Sequence, residues 1–265
     1  MTTYLVAGAR GVDAGKTTFS AGLLARVGGV GFKPRAGNDV WFHHDDYRHA
    51  IGEGSLYGKD ARRLAAASAT DVDPEEINPI HRLWRPAPGG DGFLGATDRE
   101  FVLDRVGEGF VVNAGAAVPP SAREALPLAD APRVETVDAL NEQIRARHLP
   151  HLRALSDRVA GHDPAVVESY GDIARPLQGA PPDRVAVVEP GRARIYDGER
   201  YWKACDVASG RAGPQEGRLE ERVGDAVALI EPVATARLPP LGDGVRTNPD
   251  AVADAYADAY ESLVE

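Results

Sequence analysis

A chain of 265 residues, 43% of them apolar, is long enough for one large α/β domain and too apolar for wholesale disorder. Its formal charge of −10 argues against nonspecific grip on nucleic acid, because phosphate neutralisation needs clustered cations. The single cysteine, Cys205, excludes an intrachain disulfide and a cysteine-based zinc site.

The opening text, "MTTYLVAGA", has no basic segment followed by a long apolar one, so no signal peptide is expected. No apolar run approaches the ~18 residues of a membrane span. A cytoplasmic protein without membrane contact is the expectation. Residues 3–8 form a short apolar run that reads as a buried strand, and residues 16–27 read as a helix. Between them lies "GARGVDAGKTT". A strand, a glycine-rich loop and a helix start supply backbone N–H groups for phosphate. Lys16 adds a cation and Thr17 a hydroxyl placed for Mg²⁺. The usual spacing is G-x-x-x-x-G-K-[ST]. Here Arg10 stands at the first glycine's place, flanked by Gly8 and Gly11, so the motif is a variant.

"GVGFKPRAG" reads as a second strand ending near Lys33. Only Lys16, Lys33, Lys59 and Lys203 are lysine in a chain whose other cations are arginine, which draws attention to each. In a doubly wound sheet a lysine at the second strand's end sits beside the phosphate loop. There it can stabilise charge on a transferred phosphoryl group; an ordinary strand-end lysine is the plainer reading. "VWFHHDDYRHA" follows. His43, His44, Asp45, Asp46 and His49 suit either a transition metal or a polar substrate-facing loop. Trp41, Tyr47 and Trp84 are candidates for a substrate pocket or for packing.

Residues 58–69 read as a helix with Asp60 at its N-terminal end, either a helix cap or a metal ligand. Residues 71–100 are rich in Pro and Gly and read as a long loop. Residues 99–115 read as two strands around Gly107-Glu108-Gly109. Residues 136–159 read as one helix, or two broken at Pro150. "PAVVESY" and "DRVAVVEP" are the short β-branched runs that parallel sheets bury. The first ends near Glu168, where a carboxylate can hold Mg²⁺ directly or through water, or cap the next turn. "ARIYDGERYW" reads as a hairpin over Asp197-Gly198. A last strand near 225–241 and a closing helix after Asn248-Pro249 complete the chain. The alternation favours an α/β fold with a doubly wound, mostly parallel sheet.

The order of "GKTT", "GFKPRAG", "KDARRL", "INPIHRLWRPAPG", "VVESYGDIARPL" and "ARLPPL" resembles that in dethiobiotin synthetase and its relatives. These are P-loop ATPases of the class that holds the cobyrinate amidases and MinD-type ATPases. The resemblance covers most of the chain and implies a single P-loop NTPase domain over 1–265, with 90–137 as a loop or hairpin insertion. It implies ATP and Mg²⁺ as cofactors. Gly11, Asp13, Ala14, Gly15, Lys16, Thr17 and Thr18 would bind the nucleotide. Thr17, Asp60 and Glu168 would bind the metal, and Lys16 and Lys33 would be catalytic.

The implied reaction is ligase-like: ATP activates a small-molecule carboxylate. The departures fall mainly on the substrate side. Arg35-Ala36-Gly37 replaces the serine-bearing text after Lys33-Pro34, and Ser169-Tyr170-Gly171-Asp172 replaces glycine-rich text after the acidic strand. Asp13 replaces a loop glycine. The substrate is therefore expected to differ from that of dethiobiotin synthetase. A MinD-like nucleotide switch with a protein partner is the alternative, and a homodimer is an allowed assembly. A GTPase is disfavoured because the chain has no N-K-x-D motif.

Overall fold

A computed structural model describes residues 1–9, 15–94, 97–208 and 221–265. Strand β1 (Thr3–Gly8) is followed by helix α1 (Lys16–Val27), β2 (Val30–Phe32) and β3 (Arg35–Asp39). Helices α2 (His44–Gly52) and α3 (Lys59–Ala67) lead to β4 (Ile80–Asp91), β5 (Thr97–Val106), β6 (Gly109–Asn113) and β7 (Arg133–Val134). A helical stretch over 137–159 precedes β8 (Ala165–Glu168), β9 (Arg184–Glu189), β10 (Arg192–Asp197) and β11 (Ala234–Arg237).

Two mixed sheets result. The first has the order β11-β10-β9-β1-β8-β2. Strands β9, β1, β8 and β2 run parallel, while β10 and β11 are antiparallel additions at one edge. Val6, Ala7, Val166 and Ala186 are fully buried, as expected for strands covered on both faces. Helix α1 packs beside this sheet and meets the C-terminal helix Ala257–Val264, where the Tyr260 hydroxyl donates to the Phe19 carbonyl at 2.8 Å. Gly22 permits that approach, since a Cβ there would lie 2.5 Å from the Tyr260 oxygen.

The second sheet, β3-β4-β5-β6-β7, corrects the expectation of one sheet with a loop insertion. It begins at Arg35, well before residue 90, and the supposed loop over 71–100 contains its longest strand, β4. The prolines misled for a physical reason. Strand β3 pairs with β4 only from Ile80 to Trp84, so among the described residues no strand pairs with that side of β4 at Pro86 and Pro88. A missing N–H costs nothing on an unpaired edge. One face of this sheet has its own core, with Tyr47, Leu83, Val102, Phe110 and Val112 buried together.

The expected second strand is likewise divided. Strand β2 ends at Phe32, and Lys33-Pro34 carries the chain across to β3 in the other sheet. Proline lacks the donor needed to continue a ladder and disfavours helix at the residue before it. The hairpin expected over Asp197-Gly198 instead turns at Pro190-Gly191, where Gly191 has φ 85°. Asp197 caps the helix Gly198–Ala208, its carboxylate accepting from the Arg200 N–H at 2.9 Å. The strands around Gly107-Glu108-Gly109 are β5 and β6 as expected. The helical stretch continues through Pro150, and its irregularity is a π-turn over Ile144–His148. Among the described residues no helix is long and apolar enough to cross a membrane.

Candidate functional site

Strands β1, β8 and β2 are parallel neighbours, so their C-terminal ends open on one side of the first sheet. In open α/β sheets that crevice is where ligands bind. Here a cleft of about 1320 Å³ lies there, with the second sheet contributing its far wall. Gly11, Asp13 and Ala14 of the glycine-rich loop lie outside the described residues, as does Arg10. Gly15 is described, with φ 82°, in the left-handed region that favours glycine. Helix α1 begins at the next residue, so Lys16, Thr17 and Thr18 occupy its first turn on the cleft.

Glu168, at the end of β8, is fully buried and organises the site. Its Oε1 accepts from the Thr17 hydroxyl at 2.9 Å and from the Lys33 ammonium at 2.5 Å. Lys33 also donates to the Ser169 carbonyl at 3.2 Å and stands 3.7 Å from Asp60 Oδ2. Lys16 donates to the Gly171 carbonyl at 2.8 Å. Thr17, Lys33, Asp60 and Glu168 thus converge, although they come from α1, the β2–β3 crossing, α3 and β8. Asp60 sits in the first turn of α3 behind an N-cap at Gly58, so its carboxylate is free to face Lys33 rather than cap the helix.

Burial, then repulsion from Lys33, lowers the Lys16 ammonium below its usual range. Lys33 goes the other way. Burial disfavours its charge, but Glu168 and Asp60 outweigh that and hold it protonated. Burial likewise opposes ionisation of Asp60, yet Lys33 and the Thr17 hydroxyl keep its carboxyl below the ordinary value. The second oxygen of Glu168 is buried and has no hydrogen-bond partner among the described residues. A buried carboxylate oxygen left that way is costly, and a cation bound at the site would satisfy it.

Among the described residues no three His, Cys, Asp or Glu side chains gather closely enough to hold a metal unaided. The expected Mg²⁺ ligands comprise two carboxylates and a hydroxyl. That is compatible with an ion that keeps several waters and takes few protein ligands. The His43 loop does not converge. His43 Nδ1 accepts from the Asp39 N–H at 3.0 Å, His44 approaches the Val40 carbonyl, and His49 pairs with Glu53. Asp46 faces Lys59 and Arg62. Of the aromatic candidates only Trp84 lines the cleft. Trp41 is 74% exposed, and Tyr47 is buried with its hydroxyl on Ser121. Burial pushes the Cys205 thiol up to about 12, far from a nucleophile's range.

Sequence reasoning missed the far wall. Arg82 donates Nε and Nη2 to Asp104, both at 2.7 Å, and His148 Nε2 meets the same carboxylate at 2.9 Å. Ile80, Arg82 and Trp84 alternate along β4 and all line the cleft, a period-two signal hidden inside proline-rich text. No protein-family model matches this chain, and comparison with curated proteins finds no match.

Proposed function

We propose that this protein is an enzyme of the P-loop ATPase kind that binds Mg²⁺–ATP and passes the γ-phosphoryl group to a small-molecule carboxylate. The observation that most supports this reading is the convergence of Thr17, Lys33 and Asp60 on Glu168, beside a helix that starts at Gly15-Lys16. Lys16 exchanges its bond to the Gly171 carbonyl for the β- and γ-phosphates, which are stronger acceptors. Thr17, Asp60 and Glu168 are the groups that would hold Mg²⁺, and the unsatisfied Glu168 oxygen fits that role. The ion supplies charge neutralisation and orientation of the phosphates. Lys33, held protonated, would neutralise charge on the transferred group and offset its repulsion of the incoming carboxylate.

Calorimetric titration with ATP, GTP and ADP in Mg²⁺ tests the nucleotide half. Wild-type protein is expected to bind ATP in preference to GTP, and Lys16→Ala to weaken that binding by about a hundredfold or more, the scale of a buried charge–phosphate contact. Equal ATP affinity in the two proteins would remove Lys16 from the site.

A further inference from the structure

Helix α3 starts on the cleft beside the phosphate-loop residues, and its first turn is bare. The helix is nine residues long, and its N-cap, Gly58, has no side chain to accept from that turn. The N–H groups of Lys59, Asp60 and Ala61 donate to no described residue. Asp60, the acid in the turn, does not fold back to cap it. Its carboxylate takes the Thr17 hydroxyl and faces Lys33 at 3.7 Å. Free N–H groups and the helix dipole favour an anion at such an end.

An uncapped end alone specifies no ligand, but Asn38 adds an independent donor. It is 6% exposed and lines the cleft, and its side-chain nitrogen has no hydrogen-bond partner among the described residues. Asn38 alternates with Gly37 and Asp39 along β3, and its amide lies against the start of α3. A Cβ on Gly58 would stand 2.9 Å from Asn38 Oδ1 and 3.2 Å from His81 Cε1. Gly58 has a φ of −107°, open to any residue, so glycine serves space here rather than conformation. An amide offers two N–H donors and an acceptor oxygen, and a half-turn exchanges them within one volume. A buried amide nitrogen that no protein group satisfies is costly, and an oxygen brought by a ligand would relieve it.

The acids beside the helix start already have cations. Asp60 faces Lys33 and feels Lys59 and Arg63, and Asp46 stands 4.0 Å from Lys59 and 3.9 Å from Arg62. The fully buried His81 adds no charge, because burial and then Arg105 push its ring down to about 3. The attraction for a further anion therefore comes from oriented N–H donors rather than from net charge.

We infer that the start of α3 and the Asn38 amide seat the reacting carboxylate of the acceptor. One oxygen takes N–H groups of the first turn, and the other takes the Asn38 side-chain nitrogen. Asp60 links this seat to Lys33 and the phosphate end. A carboxylate oxygen forms the new P–O bond, the bond from the γ-phosphorus to the β–γ bridging oxygen breaks, and ADP leaves with that electron pair. The carboxylate identity rests on the proposed acid-activating reaction. The oxyanion seat stands on α3 and Asn38.

The experiment follows the backbone amide resonances by NMR during titration with acetate and, separately, with inorganic phosphate. Each titration is done with and without Mg²⁺ and a saturating non-hydrolysable ATP analogue. The analogue fills the γ-phosphate position, so an anion bound in its presence lies elsewhere. Proteins are wild type, Asn38→Leu and Gly58→Ala, whose added Cβ crowds the amide. With the analogue present, acetate is expected to shift the Lys59 and Asp60 amides saturably and to bind tighter than phosphate. Each variant is expected to weaken acetate about tenfold, the scale of one charge-assisted hydrogen bond. Asn38→Leu should unfold in urea at or above the wild-type midpoint, because it removes an unsatisfied buried amide. No saturable shift at these amides, equal acetate affinity in all three proteins, tighter binding of phosphate, or acetate bound only without the analogue would overturn the assignment. A lowered Asn38→Leu midpoint with acetate affinity unchanged would make Asn38 a structural residue and overturn it too. Acetate binding that depends on Asn38 in a protein that binds no analogue would keep the seat and reject the ATP reading.

Discussion

Glu168→Ala is expected to destabilise the protein by roughly 3–5 kcal/mol, the range for removing one partner of a buried ion pair. Glu168 is fully buried and Lys33 only 3% exposed. Without Glu168, the Lys33 ammonium keeps a carbonyl and a partly exposed Asp60 at 3.7 Å. Thr17 loses its acceptor as well. Lys33→Met strands the carboxylate instead and should cost a similar amount. The paired replacement, Lys33→Met with Glu168→Leu, removes both charges and is expected to recover most of the stability, since well-packed apolar isosteres of buried ion pairs are often neutral. Phosphoryl transfer should remain lost by about a hundred- to a thousandfold, the scale of one removed electrostatic contact in a reacting site. Urea unfolding of the four proteins checks the first part. If the paired variant is no more stable than either single one, the ion pair is not the source of the loss.

The Arg82–Asp104–His148 cluster gives the second large effect. Asp104 is fully buried, and although burial opposes its charge, Arg82 and His148 hold its carboxyl far below the usual range. The unfolded chain returns it to about 3.9. As pH falls, the unfolded state therefore takes up the proton first, and stability falls with it. The contribution is complete above about pH 5 and declines from there toward the depressed native value; it gives no dependence between neutral and alkaline pH. Asp104→Asn should lose about 3–5 kcal/mol at neutral pH, because it leaves the half-buried Arg82 guanidinium facing an amide. The difference from wild type should shrink steadily below pH 4. A difference that stays constant down to pH 3 would mean that folding does not lower the Asp104 pKa.

Legibility in the sequence followed the range of the interactions. The β1 strand and the α1 helix are each set by local pattern, so the sequence alone defined them. Lys33, Asp60 and Glu168 were visible as residue types at element ends, and the structure brings them together with Thr17. What could not be read was the crossing at Lys33-Pro34, because a strand that leaves one sheet for another looks like a strand that continues. The far wall was hidden for a different reason. Trp84 meets Arg99 through the pairing of β4 with β5, whose register shifts after Leu83 and again after Pro86. Such irregularities move side chains between faces without a mark in the text. The hairpin at Gly191 was misplaced because Asp197-Gly198 carries the same turn chemistry, used there to start a helix.

The most direct test of the account follows the γ-phosphoryl group itself. The protein is incubated with Mg²⁺–ATP, small carboxylic acids whose carboxyl oxygens are isotopically heavy, and hydroxylamine, which attacks the acyl carbon of an acyl phosphate and expels phosphate with the bridging oxygen; the released phosphate is analysed by mass. Transfer to a carboxylate predicts that heavy oxygen passes from the acid into the phosphate, and that Lys33→Met abolishes it. Phosphate carrying oxygen from solvent water alone, with ADP formed at the same rate whether or not an acid is present, would contradict the account and mark the protein as a nucleotide switch.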